Sequence, residues 1–164
     1  MAGVPNEFYF MGLGGLGVSL AGFAGLISAL DRRPEGHTPV AAWRIRNIVM
    51  GGFAVTFAGF GTVALYTVTS EDLTLTVRLA SLLLGALTLA PMPWEARPGP
   101  AWPDDRHRQR AVTFTVVLAV AELANVAVGS LGYLQVLFLM HLGGPVSIFA
   151  NTVRDVAREA SPRR

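Results

Sequence analysis

The sequence predicts an all-α, polytopic membrane protein, a bundle of five transmembrane helices with its N-terminus outside and its C-terminus cytoplasmic. Three observations lead there. The chain of 164 residues is 52% hydrophobic and only 15% charged, against about 25% charged residues in an ordinary soluble domain. The charges are clustered, leaving apolar runs of the roughly 20 residues needed to cross a bilayer core. The basic residues, 13 in number and all arginine, sort to one side of those runs.

The first span covers residues 8–30 and is closed by Asp31-Arg32-Arg33-Pro34. The seven residues before it carry no Lys or Arg, and the run is too long for the apolar core of a signal peptide. It is therefore expected to stay as the first helix. The second span is 47–68. Its helix should begin earlier, because Thr38 can cap it and Pro39 suits the first helical position. The third span is 73–92, ended by Pro91 and Pro93. A proline-rich cytoplasmic linker, 93–105, follows, with Asp104 or Asp105 placed to cap the next helix. The last apolar stretch, 111–153, would be about 64 Å long as one helix, twice the membrane. Two spans, 111–130 and 133–152, fit better, with Gly129-Ser130-Leu131-Gly132 as the turn and 153–164 as a cytoplasmic tail. The whole chain, 1–164, is read as one transmembrane domain.

Arginine placement supports five spans rather than four. Arg32, Arg33, Arg44 and Arg46 flank the first loop. Arg97, Arg106, Arg108 and Arg110 lie in the third, and Arg154, Arg158, Arg163 and Arg164 in the tail. With five spans all twelve fall on one side, which the positive-inside rule makes cytoplasmic. Only Arg78 falls outside. The aromatic residues agree: Tyr9, Tyr66 and Tyr133 mark the outer helix ends, and Trp43, Trp94 and Trp102 the inner ones, as expected of interfacial rings. The absence of Lys suggests a GC-rich coding bias and hence a bacterial inner membrane.

Composition also excludes functions. There is no Cys, so disulfides, thiolate metal sites and thiol redox chemistry are ruled out. Three His, of which only His141 lies in an apolar run, leave no intramembrane bis-histidine haem site. Neither a cofactor nor a metal is expected. The net charge is only +2, and the arginines beside the spans are explained by topology, so nucleic acid is not an expected partner. The expected partners are the bilayer, further copies of the chain in a homo-oligomer, and anionic lipid at the cytoplasmic arginine clusters.

Spans one and two share a pattern, Gly14-Gly15-Leu16-Gly17-Val18-Ser19-Leu20-Ala21-Gly22-Phe23 matching Gly51-Gly52-Phe53-Ala54-Val55-Thr56-Phe57-Ala58-Gly59-Phe60. An inverted repeat could produce it, but shared Gly/Ala composition accounts for it more simply. Gly17, Ala21 and Gly25, and Ala54, Ala58 and Thr62, recur every four residues. Small residues so spaced let membrane helices approach closely, and these are read as packing seams.

Glu122 is the acidic residue inside a span. A carboxylate there is costly unless it is paired, wetted or protonated. Asn125 shares its helix face. Counted outward from a hairpin centred between Leu131 and Gly132, Glu122 and His141 lie at equal depth near the midplane and can face each other. Pro145, preceded by Gly143 and Gly144, is expected to kink the fifth span by removing a helical hydrogen bond and crowding the His141 carbonyl. Ser19 and Thr56 lie at similar depth and could add hydroxyls. Together these form a candidate proton, ion or solute site. Arg78 would snorkel to the outer interface beside Glu71 and Asp72, or line an outer vestibule. Ser130 and His141 are roughly 15 Å apart along a helix axis, so no serine hydrolase pair forms, and the chain is not expected to be an enzyme. The preferred function is an oligomeric channel or transporter for protons, cations or a small solute. The alternative is a non-catalytic membrane assembly or regulatory subunit in which the polar cluster is a structural staple.

Overall fold

The computed structural model describes residues 5–30, 38–100, 102 and 104–160. Arg32, Arg33, Arg163 and Arg164 of the charge argument lie outside them. The described residues form six helices: α1 (Glu7–Leu30), α2 (Pro39–Val68), α3 (Leu73–Leu89), the single-turn α4 (Met92–Glu95), α5 (Asp105–Val128) and α6 (Leu131–Ala160). Five of them are long and apolar enough to cross a membrane, an architecture that fits a multi-pass membrane protein.

The helix boundaries follow local chemistry. Thr38 is extended and its side chain accepts from the Ala41 amide, with Pro39 next in line. An N-cap hydroxyl and a proline that needs no donor together start α2 eight residues before its apolar run. Asp72 caps α3 by accepting from Leu75. Asp104 caps α5 by accepting from the His107 amide at 2.7 Å, and it also bonds the His107 ring. α5 ends at Gly129, whose φ of 69° is left-handed, a conformation glycine adopts without a Cβ penalty. The α5–α6 turn is therefore only Gly129-Ser130. Leu131 and Gly132, expected in the turn, already belong to α6.

The Asp104 cap carries a pH dependence. The amide and ring contacts from His107 hold its carboxyl below the usual carboxylate range. A lowered folded value means the cap stabilises above the ordinary carboxylate range and is lost as pH falls through the folded value. The protection of the first-turn amides of α5, taken relative to their intrinsic exchange rates at each pH, is expected to fall as the solution is acidified through that window. In Asp104→Asn that protection is expected to be flat over the same range.

The helices pack unevenly. α1 lies chiefly on α2, α3 chiefly on α5, and α6 lies more on α2 than on its own hairpin partner α5. The buried core draws on all five long helices, including Phe10, Leu13, Val55, Val77, Leu84, Leu118, Leu134 and Phe138. The Phe10 and Phe138 rings meet edge to face at 5.4 Å, a favoured geometry for aromatic pairs. At one end of the bundle the Tyr9 hydroxyl donates to the Gln135 carbonyl. At the opposite, arginine-rich end, Trp43 and Trp102 stack with centroids 4.5 Å apart, and Arg44 pairs with Asp155 at 2.6 Å.

The α1–α2 seam is built on missing side chains. A Cβ on Gly17 would lie 2.3 Å from the Gly52 carbonyl oxygen, and one on Gly52 would lie 2.5 Å from that of Gly17. The two backbones touch there, and Thr56 donates across the seam to the Gly14 carbonyl at 2.9 Å. Ala21, Ala58 and Thr62 are buried as a seam requires. Gly25 is not part of it, since a Cβ there meets nothing within 4 Å. The matched segments also differ in environment. Gly15 and Ser19 are exposed, whereas their counterparts Gly52 and Thr56 are buried, as shared composition rather than shared structure would give.

Candidate functional site

Three helices supply the site. Glu122 of α5 is fully buried, at 0% exposure. Its carboxylate meets the Nε2 of His141 from α6 through Oε1. Through Oε2 it meets the hydroxyl of Thr88 from α3 at 2.8 Å. Thr88 Oγ1 also lies 2.8 Å from His141 Nε2, which closes a triangle. The His141 side chain is 11% exposed. Gly85 lies beside the carboxylate, and a Cβ on it would meet Glu122 at an ordinary 3.6 Å.

Helix geometry explains how Glu122 and His141 meet. With the turn at Gly129-Ser130, Glu122 lies seven residues before it and His141 eleven after it, so their Cα atoms are not level. Side chains tilt toward the N-terminus of their own helix. Glu122 on α5 therefore reaches away from the turn, and His141 on α6 reaches back toward it. The two long side chains converge across an offset that the backbones leave. They do so between helices that otherwise touch little.

The heavy-atom arrangement admits two proton positions. An imidazolium can donate from Nε2 to a carboxylate, or a carboxylic acid can donate to a neutral ring nitrogen. The Thr88 hydroxyl has one hydrogen and two acceptors within reach, Glu122 Oε2 and the Leu84 carbonyl at 2.8 Å. It can turn from one to the other as the carboxyl changes state. Among the described residues, no three His, Asp or Glu side chains gather as a metal set. The groups of the triangle can exchange a proton and hydrogen-bond.

The other candidate residues lie elsewhere. Asn125 contacts neither Glu122 nor His141. Its amide donates to Ser81 Oγ at 2.8 Å and to the Ser130 carbonyl at 3.2 Å, and its carbonyl oxygen accepts from the Ser130 amide at 3.1 Å. Asn125 thus clasps the α5–α6 turn and α3, one helical turn beyond the triangle. Ser19 is exposed and bonds its own helix at Gly15, and Thr56 belongs to the α1–α2 seam. Neither hydroxyl reaches Glu122. Arg78 is exposed and donates to the Ala127 carbonyl at 3.3 Å, a cation at the C-terminal end of α5, where the helix dipole favours it.

The last span is a continuous helix through the residue expected to kink it. α6 is helical from Leu131 to Ala160 with Pro145 in its interior. The Pro145 ring packs on Gly51 of α2, where a Cβ would lie 2.4 Å from its Cγ. Pro145 serves helix packing there, seated where Gly51 presents no side chain.

Thr88 is the site residue that sequence reasoning missed. A signal existed: Ser81, Gly85 and Thr88 form a small and hydroxyl-bearing stripe on α3, four and three residues apart. The stripe points to the surface that receives Asn125 and Glu122. Comparison with protein-family models, with curated proteins and with solved structures gives no match for this chain. The fold and site define it as a helical protein with five helices long and apolar enough to cross a membrane and a carboxyl–imidazole–hydroxyl triangle among them.

Proposed function

We propose that this chain is an integral protein of the cell membrane, N-terminus outside and C-terminus cytoplasmic, that handles protons as a homo-oligomeric channel or transporter. Glu122 and His141 are the exchanging pair and Thr88 the adjustable partner of both. A bacterial inner membrane is the setting consistent with the all-arginine composition. One observation carries this reading. The buried Glu122 carboxylate is paired with an imidazole although Asn125 and Ser81 already clasp α3 to α5 with neutral groups. An ionised carboxylate inside a bilayer costs about 3 kcal/mol, so a staple alone is more cheaply made from amides and hydroxyls.

A second observation favours the assembly or regulatory reading. Glu122 is wholly enclosed, and it ties together α5 and α6, which otherwise touch little. Such a bridge would hold the hairpin closed.

Reconstitution separates the two. Purified protein in liposomes carrying a pH gradient is expected to dissipate it, and Glu122→Gln to return the rate to that of protein-free vesicles with the fold retained. No dissipation by the wild type would reject transport of protons. Equal rates for wild type and Glu122→Gln would reject the site while leaving transport in place.

A further inference from the structure

The start of α5 bears a groove of about 580 Å³ lined by Arg106, Gln109, Arg110, Thr113, Phe114 and Val117. These positions are spaced three and four residues apart, so they form one face of one helix. All six are exposed. Along the helix the face changes from two guanidiniums through an amide and a hydroxyl to an aromatic ring and a valine.

The charge on this face is not neutralised. Two other arginines at the same end are engaged. Arg44 pairs with Asp155, and Arg108 pairs with Asp105 and also donates to the Ala96 carbonyl. Asp104 is occupied by His107. The guanidiniums of Arg106 and Arg110 have no ion-pair or hydrogen-bond partner among the described residues. Two unpaired guanidiniums at i and i+4 at the mouth of an apolar helix complement a phosphate, because planar donors in a fork suit its oxygens. The apolar half of the face suits an acyl chain.

We propose that this face is a binding site for one anionic phospholipid. Its phosphate lies between Arg106 and Arg110, its headgroup hydroxyls reach Gln109 and Thr113, and an acyl chain runs along Phe114 and Val117. The order of polar and apolar groups along α5 matches the order along the lipid, which a soluble phosphate or an acidic peptide would not use.

The test is lipid binding to the detergent-purified full chain, read by native mass spectrometry with phosphatidylglycerol and phosphatidylcholine as probes. Wild type is expected to prefer phosphatidylglycerol. Each of Arg106→Gln and Arg110→Gln is expected to weaken that lipid about fivefold, the effect of one interfacial arginine, with phosphatidylcholine unchanged. The single variants suffice if the double variant fails to fold. Arg97→Gln/Arg154→Gln, which removes two charges away from the groove, is expected to bind as the wild type does. No preference for phosphatidylglycerol in the wild type, unchanged binding in both single variants, or an equal loss in the Arg97/Arg154 control would each overturn the site.

Discussion

Replacing Gly17 or Gly52 by alanine is expected to pry α1 from α2 and produce the largest loss of stability of any single methyl in the protein. The added carbon would sit 2.3 Å or 2.5 Å from a carbonyl oxygen of the facing backbone. A clash with a flexible side chain can relax by a rotamer change, but a clash with backbone moves the whole helix. Overpacking costs about 1–3 kcal/mol, and the upper end applies here. Moving the helix also lengthens the Thr56 bond to Gly14. Gly22 and Gly25 are the controls, because a Cβ at either meets nothing within 4 Å. Alanine there gains helix propensity of about 1 kcal/mol over glycine, so those variants should be neutral or more stable. Unfolding in mixed micelles, followed by circular dichroism, would check the contrast. Equal midpoints for Gly52→Ala and Gly22→Ala would show that the α1–α2 contact is not what holds this half of the bundle.

The second large effect belongs to Glu122→Ala. It removes the acceptor of two buried groups at once, leaving His141 Nε2 and the Thr88 hydroxyl to satisfy each other. A buried polar group left unpaired costs about 1–3 kcal/mol. Glu122→Gln keeps an oxygen and the shape, so its cost should be the smaller. The loss in Glu122→Ala should be coupled to His141. In a double-mutant cycle, His141→Ala is expected to cost less in the Glu122→Ala background than alone, with a coupling of about 0.5–3 kcal/mol. Thr88→Val, which preserves shape and deletes only the hydroxyl, should destabilise and should couple to both. Additive losses throughout would mean that the three side chains do not act as a unit.

The errors in reading the sequence are as informative as the agreements. Equal depth for Glu122 and His141 followed from a hairpin centred between Leu131 and Gly132. The turn is two residues earlier, and the two side chains meet because each tilts toward its own N-terminus. Asn125 was grouped with Glu122 because three residues separate them on one face. Yet its amide bonds Ser81 of α3 and Ser130 at the turn instead. Pro145 was read as a kink from its chemistry within one helix. Its role depends on Gly51, 94 residues away in sequence, and no local pattern connects them.

Hydropathy, capping residues and the turn glycine determined from sequence alone that five apolar helices form and where they start and stop. Those properties are local, since a helix inside a bilayer satisfies its own backbone hydrogen bonds and its ends are set by a few neighbouring side chains. The carboxylate of Glu122 was equally visible, because an acidic residue inside an apolar run is read directly from the sequence. Which partners meet that carboxylate was decided by tertiary structure. Hydroxyls on α3, an imidazole on α6 and glycines on α2 come together only through helix rotation and close approach. Those depend on the complementarity of whole faces, and the bare spacing of small and polar residues along one helix does not specify which face it will meet.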